Sequence, residues 1–476
     1  MLRWKFGLSA LMFLALCFGL MLGTASCGDD DDDASNDDQS DDDSSDDDLA
    51  DDDATDDDTS PPPPTLLVGS SRYEITPDYA VILGGYGMYF LSDIFCRWST
   101  GVHDPLYATA IAIEDKNQET IIELVLDSIG LLENDVHRIQ QTLSAATGVS
   151  TDHIFLSATH SHGTPDTVGI YGVMLPPITG RDDRFIEQMI DGAYQAGIEA
   201  FRNRRPAVMR VNQGVEPHFH FNHMGLNDPN ATIDDAITVV GFYETDGDVI
   251  GTITNWGCHP TVMPAENTLI TADFVGAFYA AMDLTIGGVN MFINGNEGAS
   301  VRPANTYHPF QVNPEEGWGD WDDVNRVGTG LATTAMNLLG AGEVIDDPTL
   351  SVVSAQFEGL MQNPLLGIMN TLGLIAHEFP APGELYPEPI AFWRLGPLTA
   401  ASAPGEVVPT IGLQLREIMD GRYKMVLNLT QDWIGYFLTP EQFRSLRYID
   451  YSFVCAGPEV GQALVEGYQQ MFGAGE

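Results

Sequence analysis

Between Asp29 and Asp58 the chain carries nineteen aspartates, grouped mostly in threes and spaced by Ser, Ala and Thr. Such a segment has almost no apolar surface to bury, so nothing offsets the entropy of ordering it. Residues 27–65 are therefore expected to form a disordered tether. Like charges stretch it, and Pro61-Pro62-Pro63-Pro64 stiffens its end. It lacks the glycine turn and spaced ligands of a calcium loop. A folded core has to begin after it, which puts the first core position at Leu66 and a single domain at residues 66–476.

Upstream of the tract, Arg3 and Lys5 precede an apolar run from Phe6 to Leu22, then Gly23-Thr24-Ala25-Ser26-Cys27. A basic start, an apolar stretch and small residues before a cut describe an export signal over residues 1–26. With a cysteine at the cut, the segment resembles a bacterial lipoprotein signal. That resemblance implies lipidation at Cys27 and an exported protein held by its N-terminal lipid on the periplasmic or outer face of the envelope. Gly28 after Cys27 favours the outer membrane by the same analogy.

The whole chain has 69 acidic and 20 basic side chains, a net charge of −49. Outside the tract and the first five residues, 50 acids face 18 bases, leaving −32 on the part that can fold. That part is rich in apolar residues, so it can build a large core. Its charge repels phosphate backbones and it shows no basic stripe, which excludes nucleic acid as a partner. Beyond Cys17 and Cys27, three cysteines remain, Cys96, Cys258 and Cys455. An odd number leaves at least one thiol free.

From Leu66 onward strand and helix patterns alternate. Runs at Tyr107–Glu114, Thr120–Asp127, Ile154–Ala158, Ile237–Tyr243, Val249–Trp256, Asn290–Ile293, Leu350–Phe357 and Arg422–Asn428 read as strands. Apolar spacing predicts helices over Glu133–Ala146, Arg184–Arg202, Asp273–Met282, Trp321–Leu339 and Val460–Met471. The alternation implies an α/β fold: mixed sheets flanked by helices, one large domain, and a site at strand ends. Pro364–Pro404, rich in Pro and Gly, is expected to be a long functional loop.

Histidines mark the candidate site. His160-Ser161-His162 directly follows the strand Ile154–Ala158, and His259 follows the strand Val249–Trp256. Residues leaving the carboxyl ends of strands line the ligand crevice of open α/β sheets. A carboxylate is needed to complete a metal site built from imidazoles. Ala-Pro-Gly-Glu occurs twice, and spacing alone leaves Glu384 and Glu406 open. His218, His220 and His223 suggest a polar loop at the substrate entrance, and His103-Asp104 a pair that orients a ligand or shapes the site. His137 and His153 read as surface positions; His308 and His377 receive no role.

These residues, taken in order, resemble the catalytic domain of neutral/alkaline non-lysosomal ceramidases. The resemblance is carried by His160-Ser161-His162-Gly163-Thr164-Pro165, Asn255-Trp256-Gly257-Cys258-His259-Pro260-Thr261 and Pro404-Gly405-Glu406. Gly84-Gly85-Tyr86-Gly87, Asn294-Gly295-Asn296-Glu297-Gly298 and Asp432-Trp433-Ile434-Gly435-Tyr436 agree in order. It implies zinc as cofactor, with His160, His259 and Glu406 as ligands, and selects Glu406 over Glu384. It implies catalytic roles for His162 and Tyr436, substrate contacts for Asn222, His223 and Arg302, and an N-acyl lipid or small amide as substrate. The sequence departs from the family at Trp433 and Phe443, where tyrosines are expected, and at His223, which replaces an arginine. It also shows no counterpart of the family's C-terminal immunoglobulin-like domain.

The expected activity is thus a zinc-dependent amidohydrolase. The competing expectation is a catalytically degenerate, surface-displayed homologue that binds a lipid or glycan. A metal phosphoesterase would need further Asp ligands, for which Asp127 and Asp273 are the available residues.

Overall fold

The computed structural model describes residues 65–87, 89–91, 96–225, 231–299, 301–304 and 319–473. The export signal, Cys27 and the tether up to residue 64 lie outside the described residues, as do Ser300 and His308. Pro63–Glu476 forms one compact unit.

Three sheets surround one core. The first has the strand order Ile154–Ala158, Thr120–Leu126, Tyr107–Asp115, Leu66–Glu74, Arg205–Pro206. Its pairings are antiparallel except that between Thr120–Leu126 and Ile154–Ala158. The second runs Val289–Asn294, Val249–Trp256, Ala236–Tyr243, Val208–Val215, Glu343–Ile345. Only its pair Val249–Trp256 with Val289–Asn294 is parallel. The third joins Leu350–Leu360, Leu385–Leu395, Leu398–Ser402 and Tyr423–Leu427, the last pair parallel.

Each sheet sends fully buried residues into the shared core, including Ile111 and Phe155, Val240 and Ile253, and Trp393 and Leu427. The Trp393 indole N–H donates to Glu123 Oε1 at 2.5 Å, linking the third sheet to the first. Burial on both faces explains why the central strands read as continuous apolar runs.

Helices cover the outer faces. Asp183–Arg202 buries Phe185, Ile186, Met189, Ile190 and Ala193, the three-to-four spacing of one helical face, against Leu66–Glu74 and Tyr107–Asp115. Asp182 caps it by accepting from Phe185 N at 3.0 Å. Glu133–Thr147 ends where Gly148 takes φ 79°, a left-handed C-cap.

The stretch 364–404 is not a long loop. It holds a helix, Pro364–Thr371, and the hairpin strands Leu385–Leu395 and Leu398–Ser402. Pro387 and Pro389 disguised the strand. They fall before its pairing with Leu398–Ser402 starts at Phe392, on the side where Ala391 N donates to Ser402 Oγ. Proline is tolerated there because no ladder partner needs its missing N–H. Cys96, Cys258 and Cys455 are all buried, the last two as free thiols.

Candidate metal centre

One strand of each sheet delivers one donor at its carboxyl end. Ile154–Ala158 leads through Thr159 to His160, Val249–Trp256 through Gly257-Cys258 to His259, and Leu398–Ser402 through Ala403-Pro404-Gly405 to Glu406. Glu406 Oε2 lies 3.2 Å from His160 Nε2 and 3.2 Å from His259 Nε2. His162 Nε2 stands 3.4 Å from His160 Nε2. All four side chains are buried. Donors held about 2.0–2.2 Å from one ion in tetrahedral array are about 3.3–3.6 Å apart, so these separations fit a shared cation.

The ring orientations agree. His160 Nδ1 is 2.6 Å from the Ile129 carbonyl, and His259 Nδ1 is 3.1 Å from the carbonyls of Glu297 and Val301. A carbonyl only accepts, so each Nδ1 carries a proton and each Nε2 is the ring atom turned toward Glu406. Two imidazole Nε2 atoms and a carboxylate are a donor set suited to zinc, and the residues fit that ion, which would displace any proton on Nε2.

His160 holds φ +66°, a left-handed conformation unusual for a residue with a Cβ. Its amide donates to the Ser128 carbonyl at 2.9 Å, which fixes it. Asn294 ties two ligand loops together: its Oδ1 accepts from Cys258 N, and its Nδ2 donates to the carbonyls of Thr159 and Cys258. Gly405 passes so close to the Gly435 carbonyl that a Cβ would lie 2.3 Å from its oxygen.

Burial disfavours charge on Glu406, but His160 and His259 outweigh it and hold the carboxyl well below its usual range. Burial also pulls His160 down; Glu406 overrides it and leaves that imidazole above its usual value. Burial, with His160 opposing a second positive charge, lowers His259. Glu406 is therefore a carboxylate, and the two ligand-type imidazoles do not both carry charge.

His162 differs from both. Burial and the two neighbouring imidazoles push its pKa well below the usual value, so it is neutral. Its Nδ1 has no hydrogen-bond partner, so no carbonyl fixes its tautomer. The ring sits on Gly85, where any Cβ would lie within 2.4 Å of ring atoms, and Tyr86 meets it edge-on at 4.8 Å. Arg97 donates to the His162 carbonyl and, at 2.5 Å, to that of Gly84.

Trp433 donates its indole N–H to Glu406 Oε1 at 3.0 Å, and since an indole N–H only donates, this side chain orients the carboxylate and cannot itself be a ligand. Tyr436 reaches the same carboxylate; burial first, then the charge of Glu406, hold its phenol well above the usual value. Phe443 lies on the short helix Pro440–Arg444.

Beside the centre, His220–Asn222 pairs with Val301–Pro303, setting Phe221 opposite Arg302. His223 Nε2 is 3.3 Å from the Tyr451 hydroxyl, and Tyr451 packs on Tyr436 at 5.1 Å and is also hydrogen-bonded by Arg302. His223 and Arg302 thus reach the centre through tyrosines. Asn222 does not face it: its Nδ2 donates to the Thr232 carbonyl and its Oδ1 accepts from Met224 N. His220 is not part of an entrance loop either. It is buried against Trp256 and bonded to the Gly257 carbonyl and Asp235.

Glu384 is exposed and accepts from Ala381 N in its own turn. His103 pairs with Asp104, which accepts from Thr271 Oγ1 at 2.5 Å; the Thr271 carbonyl in turn accepts from Ser161 Oγ at 3.0 Å. The pair braces the His160–His162 loop rather than orienting a ligand directly. His153 is only 19% exposed and meets Glu119. Asp127 accepts from Tyr107 N, and Asp273 from Val262, Met263 and Phe274 N. Asp127 keeps Oδ1 unpartnered, but among the described residues neither acid is grouped with His160, His162 and His259, so the further ligands a phosphoesterase would need are not at the centre. Sequence reasoning did not assign roles to Asn294 or Glu297; their placement within one Asn-Gly-Asn-Glu-Gly motif was the available signal.

Comparison with known proteins agrees with this picture. Residues 66–291 match the model for "Neutral/alkaline non-lysosomal ceramidase, N-terminal". The neutral ceramidase of Oryza sativa is 24% identical over 224 residues, and neutral ceramidase A of Dictyostelium discoideum 25% over 223. Each alignment covers 44% of this chain but only 28% and 30% of those longer proteins. The Pseudomonas aeruginosa neutral ceramidase is 22% identical, with 85% of this chain and 70% of that protein aligned. Its crystal structure superposes with a TM-score of 0.70 at 18% identity, covering 86% of this chain and 75% of that one, which establishes a common fold. The chain is thus similar to the neutral/alkaline non-lysosomal ceramidases over residues 66–291, and it shares the fold of the Pseudomonas aeruginosa enzyme over nearly its whole globular part.

Proposed function

We propose that the protein is a zinc-dependent amidohydrolase that cleaves an N-acyl, ceramide-like amide, with His160, His259 and Glu406 holding the metal. The observation that carries this reading is the convergence of two imidazoles and one carboxylate, 3.2 Å apart, from the ends of three sheets. When bound there, zinc supplies Lewis acidity toward an amide carbonyl and acidifies water. Glu406, ionised, contributes the negative charge of the ligand set, and Trp433 fixes which oxygen faces inward. His162, neutral and with Nε2 beside the centre, would take a proton from the attacking water and return it to the leaving amine. Tyr436 stays protonated, bonded to Glu406, and would turn its hydroxyl to the developing oxyanion. His223, Tyr451 and Arg302 line the approach.

The test is hydrolysis of a fluorogenic N-acylsphingosine by purified protein, before and after chelation. Turnover that chelation abolishes and added zinc restores is expected. Trp433 and Phe443, both without hydroxyls, favour the binding-protein reading. Retention of the substrate without turnover, in zinc-loaded protein, would establish that reading instead.

The anchor proposed at Cys27 rests on the sequence. A palmitate analogue should label the wild type and not Cys27→Ala; label retained in the variant sinks it.

A further inference from the structure

A second cluster of ligand-type side chains lies at the start of the helix Glu133–Thr147. Glu133, His377 and Asp432 bring one donor atom each within 4.8 Å of one another. They come from three separate parts of the chain: the helix start, the turn after Pro364–Thr371, and the segment leading to Trp433.

Asp432 is fully buried and uses only half of its carboxylate. Its Oδ1 accepts from Glu133 N at 2.9 Å and from Trp433 N at 2.7 Å. Its Oδ2 has no hydrogen-bond donor and points toward His377 Nε2, 3.4 Å away. Glu388, 1% exposed, adds a second buried carboxyl with an unpartnered oxygen, Oε2. Among the described residues neither acid has an Arg or Lys ion pair. Buried carboxyls without a counter-charge are stable only when a proton or a cation neutralises them.

The imidazole is suited to ligation. Burial lowers the His377 pKa to about 4, so it is neutral near pH 7 and keeps a lone pair. His377 Nε2 also contacts the Tyr386 hydroxyl, which can turn its proton toward Glu388. The Glu133 side chain is 36% exposed and gives the cluster an opening to solvent.

We propose that Glu133, His377 and Asp432 form a second divalent-cation site, separate from the His160–His259–Glu406 centre. Its donor set of one imidazole nitrogen and carboxylate oxygens suits manganese or zinc better than magnesium or calcium, which favour all-oxygen shells. Asp432 is bonded through the backbone to Trp433, whose indole holds Glu406, so an ion here stiffens the segment that aims the first centre's carboxylate.

The inference does not rest on the amidohydrolase reading, and its test does not use turnover. The full chain carrying His160→Ala and His259→Ala, stripped of metal, is titrated with Mn2+ alone and with Zn2+ alone by calorimetry. One equivalent should still bind. Adding Glu133→Gln, a substitution at a half-exposed position that the fold tolerates, should weaken it tenfold or more, and His377→Gln should abolish it. In the wild-type background the metal content should fall from two equivalents to one in His377→Gln. The proposal is overturned if the doubly substituted chain, native by circular dichroism, binds neither ion. It is equally overturned if the wild-type content is unchanged by both Glu133→Gln and His377→Gln.

Discussion

The molecule contains two buried glutamates that each accept an indole N–H on Oε1. Glu123 takes it from Trp393 at 2.5 Å in the shared core, and Glu406 from Trp433 at 3.0 Å in the metal centre. Both are essentially inaccessible to water. Burial pushes Glu123 up to about 8, so it is protonated at neutral pH, whereas Glu406 is held well below the usual carboxylate range. Burial and the tryptophan are common to both; the neighbours differ. His160 and His259 flank Glu406, and no cationic group offsets the desolvation of Glu123. A Glu–Trp pair is therefore a structural tie by default, and adjacent imidazoles keep its carboxyl ionised and able to act as a ligand.

Removing the charge from Glu406 should break the contrast most severely. Glu406→Gln gives the centre an amide with no negative charge, and metal content should fall to background with activity at least 1,000-fold down, about 4 kcal/mol of transition-state stabilisation. Metal analysis and turnover of the same preparation check this together; a zinc-replete variant would contradict the ligand assignment. Next in size, Trp433→Phe removes only the orienting N–H. Metal affinity should weaken about 10- to 100-fold, the usual cost of losing a group that orients a ligand, while urea unfolding changes little. At Glu123 the expected effect falls on folding stability and leaves the metal centre unchanged. Below about pH 4.5 its carboxyl is protonated folded or unfolded; above that the unfolded chain releases the proton and the folded one keeps it up to about pH 8. Stability should thus fall across this window by up to about 1.4 kcal/mol per pH unit, and Glu123→Gln should flatten the slope. Urea midpoints measured from pH 5 to 8 decide this, and an unchanged slope would show that Glu123 ionises in the folded state.

The ligand-type histidines were legible because each follows a buried strand. An apolar run ending in a polar, ligand-type residue is a local pattern, and both Ile154–Ala158 and Val249–Trp256 have the bounds that the sequence suggested. Glu406 was not legible by spacing, since Glu384 sits in the same tetrapeptide; only the family resemblance preferred it. The structure separates them by environment: Glu406 is buried between two histidines, and Glu384 closes an exposed turn. His220 misled because a polar cluster looks alike whether it lines an entrance or packs on backbone. His377 drew no attention because its partners, Glu133 and Asp432, are distant in sequence.

By itself the sequence determined the alternation of elements and the ceramidase likeness, since these depend on local pattern and on short ordered motifs. Tertiary structure alone decided that three different sheets meet at one point. It decided that Asn294 joins two ligand loops, that a tryptophan orients a carboxylate, and that a second cluster assembles behind it. Those facts depend on contacts between residues far apart in the chain, and on burial that sets which carboxyls are charged, neither of which local spacing encodes.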